Sequence, residues 1–139
     1  MALELRTQIM IKAKPEKVWE VLMDFEKYAE WNPFILSIMG KAAVGEKLNV
    51  HIQGMKFRPK VKKLALGQNF VWLGHLLFPG IFDGRHSFEL EEQADGSTHF
   101  IHSESFKGIL VPLFKKQLMN QTQAGFEAMN EALKARVEG

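Results

Sequence analysis

His86, His102 and Glu104 are the residues of this chain whose types and spacing could do chemistry together. An imidazole beside a carboxylate in a dry setting can hold or pass a proton near neutral pH. Two histidines and a carboxylate are also acceptable ligands for zinc or iron. All three lie in FDGRHSFELEEQADGSTHFIHSESFKG, residues 82–108, which carries three of the five histidines. No His-x-His pair or helical His-x-x-x-His accompanies them, so no metal is assigned and no cofactor is expected. The less reactive reading is a few polar groups that orient a ligand in an apolar pocket, or that satisfy one another. Ser103 and Ser105 have no nucleophile-elbow context, and Gly74, Gly80 and Gly84 do not form a phosphate loop.

Whether the three share a face depends on how two strands pair. The runs IFDGRHSFELEE and STHFIHSESF flank Ala94-Asp95-Gly96, a turn signal. A three-residue loop sets Leu90 opposite Phe100, Phe88 opposite His102 and His86 opposite Glu104. A slip of one residue would turn Phe100 and Phe106 away from that face, so burial of the phenylalanines selects the first register. His86, His102 and Glu104 then point to the concave side, and Arg85, Ser87, His99 and Ser103 to the outside. His51 falls on the polar parity of its strand. The direction of His75 and Trp72, in the doubly apolar run FVWLGHL, stays open from the pattern alone.

The elements that must position these residues follow from periodicity. LELRTQIMIK alternates as a first strand, with Leu3, Leu5, Thr7, Ile9 and Ile11 on one face. Pro15 opens a helix whose stripe is Val18, Trp19, Leu22 and Phe25. A second short helical turn ends at Trp31-Asn32-Pro33, where proline forces the chain out of helical angles. FILSIM, LNVHIQ, KFRPKVKKLAL and NFVWLGHLLF read as further strands, with Pro59 marking an edge or a bulge. From about Pro112 to Val137 the residues Phe114, Leu118, Thr122, Phe126, Met129, Leu133 and Val137 recur at helical spacing. Such a helix of roughly 39 Å exceeds any one strand and must lie across the sheet. Met39, Met55, Met119 and Met129 could line an adaptable pocket or simply fill core.

The expected fold class is α+β: a curved antiparallel sheet of about seven strands around a long C-terminal helix, as a single domain over 1–139. A length of 139 residues with 46% hydrophobic side chains suffices for one core. The net charge of +2 is too small to argue for nucleic acid, and Lys56, Arg58, Lys60, Lys62 and Lys63 read as a solvated strand face. There is no cysteine, which removes disulfides and thiolate chemistry and accords with a reducing, cytoplasmic setting. Charges interrupt the N-terminal residues too often for a signal peptide, and no apolar run is long enough to span a bilayer.

The motifs Pro15 to Trp19, Trp31-Asn32-Pro33, Phe82-Asp83-Gly84 with His86, Phe88 and Leu90, and Glu104-x-Phe106-x-Gly108 occur here in one order. In that order they resemble the START-like helix-grip superfamily (SRPBCC), in the branch grouped with polyketide cyclases and dehydrases. The resemblance covers essentially the whole chain. It implies a deep apolar cavity between sheet and long helix that takes a hydrophobic or aromatic small molecule, with Phe70 and Trp72 facing inward. The oxygenase iron ligands of some relatives have no counterpart here. On this basis the ligand-binding candidates are Trp31, Phe34, Trp72, His86, Phe88, Phe100, His102, Glu104, Phe106, Phe126 and Met129. Of these, His86, His102 and Glu104 are also the catalytic candidates, should the chain be a cyclase or dehydratase of a polyketide-like substrate. A protein–protein accessory domain using the outer sheet face is the third possibility, and either a monomer or a homodimer fits.

Overall fold

The structure is a computed structural model that describes residues 3–76 and 78–139. Strand β1 (Leu3–Ile11) leads into α1 (Pro15–Met23), a single 3-10 turn (Phe25–Lys27) and α2 (Tyr28–Trp31). The strands β2 (Ile35–Met39), β3 (Asn49–Ile52), β4 (Met55–Phe57), β5 (Lys60–Ala65), β6 (Asn69–Leu76), β7 (Phe82–Glu92) and β8 (Thr98–Lys107) follow. They form a five-stranded sheet in the order β1-β8-β7-β6-β5 and a three-stranded sheet in the order β2-β3-β4, all antiparallel. This is the curved α+β architecture expected, with eight strands where about seven were read. The extra break comes from Pro59, which has no N–H for a ladder and splits the run KFRPKVKKLAL into β4 and β5. The N–H of Leu48 donates to the Pro59 carbonyl, and Val61 donates to that of Glu46, so the two sheets stay joined across the bend. The last residues of the run NFVWLGHLLF include Leu77, which lies outside the described residues.

The C-terminal helical segment runs from Val111 to Glu138 but is not uniform. It opens as a 3-10 turn (Val111–Phe114), passes through α3 (Lys115–Gln117), widens into a π-helical stretch (Leu118–Thr122) and ends as α4 (Gln123–Glu138). A π-helical stretch places more residues in each turn, so the apolar stripe before it and after it are not in one phase. Leu118, Phe126, Met129, Leu133 and Val137 are buried, whereas Thr122 is only partly so and Phe114 is exposed. Helix α4 lies against β1 and β8. Its far end is tied down where Lys134 Nζ donates to the Met10 carbonyl and the Lys12 N–H donates to Glu138.

The core is a run of rings on the concave face. Phe70 stacks on Phe88, Phe88 on Phe100, and Trp72 meets both Phe70 and Phe88 edge-on. Trp72, open in direction from its sequence pattern, therefore points inward with 1% exposure. Phe34 packs edge to face on Phe126 and lies against Gly125, where a β-carbon would overlap its ring. Glycine in a helix ordinarily weakens it by about 1 kcal/mol relative to alanine. Here the close approach reverses the sign. Gly125→Ala is expected to lower stability by a net ~1 kcal/mol or more, since overpacking typically destabilises by about 1–3 kcal/mol. Urea unfolding measures this, and a gain in stability on substitution would contradict the packing.

Candidate functional site: a directed polar chain behind an apolar cavity

Strands β7 and β8 pair with Leu90 opposite Phe100, Phe88 opposite His102 and His86 opposite Glu104. This is the register that burial of the phenylalanines requires. His86 and Glu104 are on one face, with His86 Nδ1 3.2 Å from Glu104 Oε1. The imidazoles are sunk in aromatic rings: Trp72 stacks on His86 at 4.8 Å, and Phe126 lies parallel to His102 at 3.9 Å. Both histidines are fully buried, whereas the Glu104 side chain retains 16% exposure. Glu104 is thus the outward end of the cluster.

Two residues not picked out from the sequence complete it. Thr7 on β1 is opposite His102, and its hydroxyl donates to the His102 backbone carbonyl at 2.8 Å. Asn130 Nδ2 on α4 donates to Thr7 Oγ1 at 2.8 Å, and Asn130 Oδ1 lies 2.9 Å from His102 Nδ1. Each proton position then follows from the one before it. A carbonyl only accepts, so the single hydroxyl proton of Thr7 points at it and Thr7 accepts from the Asn130 amide. That orients the Asn130 oxygen toward His102, whose Nδ1 must carry a proton. The His102 ring also lies near the Phe126 carbonyl, a second acceptor. Burial, and then the neighbouring His86, hold the His102 pKa well below the ordinary histidine value, so the ring is neutral and its Nε2 is a bare acceptor. His86 Nε2, 2.8 Å away, therefore donates to it. With its proton assigned to Nε2, His86 meets Glu104 through Nδ1, and that contact is attractive only if a proton lies between the two atoms. The pair is an imidazolium with a carboxylate, or a neutral ring with a carboxylic acid.

A cavity of about 400 Å³ adjoins this end of the chain and opens to solvent. Its walls come from the small sheet (Ile52, Phe57), from β7 and β8 (Phe82, Phe106), from Phe34, and from the helical segment before α4 (Phe114, Leu118, Gln121). Glu104 is in its lining, as are Gly74 and Gly84, which face each other on β6 and β7. Their missing side chains leave the floor open. At Gly84 a β-carbon would overlap Glu104 Oε2, so only glycine lets the carboxylate lie across this strand.

Among the sequence candidates, Phe34, Glu104 and Phe106 line the cavity. Trp72, His86, Phe88, Phe100, His102, Phe126 and Met129 are buried behind it and do not. The reason is that α4 packs its phenylalanine directly on His102, so the gap opens only where the helix widens at Leu118–Thr122. Trp31 sits against Tyr28 at 5.1 Å, beneath the short helices, with its indole N–H buried and unpartnered. The Asn32 side chain closes the following turn by accepting from the N–H groups of Phe34 and Ile35, which positions Phe34. Met55 is at the cavity; Met39 and Met119 are exposed away from it, and Met129 is core. His75 pairs with Asp83 at 2.7 Å on the rim. Among the described residues, no three histidine, aspartate or glutamate side chains converge as metal ligands.

The depressed pKa of His102 has a consequence for stability. In the unfolded chain this histidine takes up a proton below about pH 6.5, whereas the folded protein resists doing so. Its contribution is complete above that pH and is lost as the pH falls, with a slope approaching 1.4 kcal/mol per pH unit. Denaturant unfolding between pH 7 and pH 5 should show this loss, and NMR should show the His102 ring unprotonated throughout. A His102 resonance titrating at an ordinary histidine pH would contradict the assignment.

Comparison with known proteins agrees with this architecture. The profile of the family described as "Polyketide cyclase / dehydrase and lipid transport" matches residues 2–138, and the chain belongs to that family. No curated protein matches it. Among solved structures it is similar to a START superfamily protein from Mycobacterium smegmatis, with 22% identity and a TM-score of 0.73 over 97% of each chain. It is also similar to a hypothetical protein from Helicobacter pylori, with 14% identity and a TM-score of 0.80 over 99% of this chain and 88% of that one. A protein in the dynemicin biosynthetic locus matches with 17% identity and a TM-score of 0.73 over 97% of this chain. The chain spans 47% of the length of that protein. At these identities the likeness concerns the fold. Among the described residues, no helix is long and apolar enough to cross a membrane.

Proposed function

We propose that this member of the polyketide cyclase / dehydrase and lipid transport family binds a hydrophobic or aromatic small molecule in the cavity between the sheet and the C-terminal helical segment. The observation that carries the reading is a cavity of about 400 Å³, walled by aromatic and aliphatic side chains and ending in one partly buried carboxylate. That size and lining are those of ligand pockets, which combine apolar walls with a few placed polar groups. Phe34, Phe57, Phe82 and Phe106 would supply the contact area, and Glu104 the orientation. The buried candidates behind the cavity (His86, His102, Trp72, Phe88, Phe126) act through Glu104 by holding it in place.

A fluorescent apolar probe, N-phenylnaphthylamine, tests this. It should bind the wild type saturably at one site. Thr122→Phe, which fills the cavity from a half-buried position, should weaken binding about tenfold or more while leaving the circular dichroism unchanged. Equal affinity in the two proteins would place the probe elsewhere and defeat the reading.

A second reading, proton transfer in a cyclase or dehydratase acting on a polyketide-like substrate, is favoured by the 3.2 Å contact between His86 Nδ1 and Glu104 Oε1. A carboxyl group with a histidine behind it is a usable general acid or base. The two readings separate on Glu104→Gln. An enzyme would lose turnover while keeping its affinity for the substrate, whereas a carrier would change only its ligand preference.

A further inference from the structure

We infer that the cavity selects an apolar ligand that bears a hydroxyl or phenol group, which donates its hydrogen bond to Glu104 Oε2, and that it rejects carboxylates. The inference rests on the reading of the cavity as a ligand site and names the class of molecule it takes. It follows from the direction of the polar chain. The Thr7 hydroxyl is committed to the His102 carbonyl, Asn130 to Thr7 and His102, and His102 to His86. The one proton of the His86–Glu104 pair therefore lies between Nδ1 and Oε1. This is so whichever of the two atoms holds it more closely.

Oε2 is left bare in both cases. Among the described residues no group donates a hydrogen bond to it, and it lies over Gly84 at the cavity floor. The inner end of the cavity is consequently an acceptor that becomes a donor only by taking up a second proton. A ligand O–H satisfies it. An ether or an apolar edge leaves it unpaired, and a carboxylate brings lone pairs and like charge against it. Of the remaining polar groups of the wall, Gln53 spends its amide N–H on the Pro33 carbonyl and His75 pairs with Asp83 at the rim, while Gln117, Gln121 and Thr122 can each turn to donate or accept and so do not discriminate.

The test uses three ligands of one shape: para-hydroxybiphenyl, para-methoxybiphenyl and biphenyl carboxylate, titrated against the wild type by calorimetry or by displacement of the fluorescent probe. The hydroxyl compound should bind about tenfold or more tightly than its methyl ether, and the carboxylate should bind most weakly. In Glu104→Leu the preference for hydroxyl over ether should vanish. In Glu104→Gln it should survive in weaker form, because the amide N–H can replace the shared proton and leave the amide oxygen facing the cavity, while rejection of the carboxylate relaxes. An ether or a carboxylate that binds the wild type as well as the phenol does would overturn the inference and leave the pocket reading standing. Failure of all three and of the probe to bind would overturn both.

Discussion

One hydrogen bond sets the direction of every other in the polar interior: the Thr7 hydroxyl donating to the backbone carbonyl of His102. Thr7 and His102 are neighbours only because β1 pairs with β8, and Asn130 reaches them only because α4 crosses both strands. A carbonyl cannot reverse its role, so the chain from Thr7 through Asn130, His102 and His86 has one polarity and ends on Glu104 with one oxygen free. A network satisfied throughout its buried part, with its one free oxygen at the partly exposed end, is stable in a low-dielectric core; the same side chains half satisfied would destabilise it. Fold and site are joined at this point, since loss of the strand pairing or the helix crossing would release both imidazoles.

The cavity has a separate origin, in the change of side-chain size along the concave face. Passing along β7 from Leu90 through Phe88 and His86 to Gly84, the face goes from filled to empty. Trp72 gives way to Gly74 on the adjacent strand in step. Over the filled part, α4 lies close enough for Phe126 to stack on His102 at 3.9 Å. Over the empty part the helical segment is π-helical, briefly α-helical and then 3-10, and its side chains bridge a gap instead of closing it. Glu104 stands at the boundary between the two regimes. It is close enough to the buried histidines to be held and close enough to the cavity to be reached.

Much of this could be read from the residues. Alternation placed the strands, and the argument from buried phenylalanines determined the register that puts His86 opposite Glu104. The position of the cavity was not legible, because an apolar stripe with even spacing gives no sign that a helix changes pitch at Leu118. Trp72, His86, Phe88, Phe126 and Met129 were therefore expected in the wall, whereas they form the packed layer behind it. Two further signals lie in the sequence. Asn130 interrupts the stripe of Phe126, Leu133 and Val137, and Thr7 interrupts that of Leu3, Leu5, Ile9 and Ile11. A polar residue on an apolar face needs a buried partner, and each of these two is the other's. Pro59 did announce a break, although periodicity alone did not reveal that one strand would become two.

A buried imidazole–carboxylate pair gives weak grounds for a stability role, because replacing such a pair with well-packed apolar side chains is often neutral or stabilising. Four polar side chains from β1, β7, β8 and α4 converge here behind Glu104, in a region otherwise filled by aromatic rings. An apolar core in the same space would need none of them. What the arrangement accomplishes, and an apolar one could not, is to present a carboxylate oxygen to a cavity with its proton held on the far side. That asymmetry serves a binder, which needs a fixed acceptor, and equally an enzyme, which needs a proton in a known place. Specificity for a donor group is the property common to both.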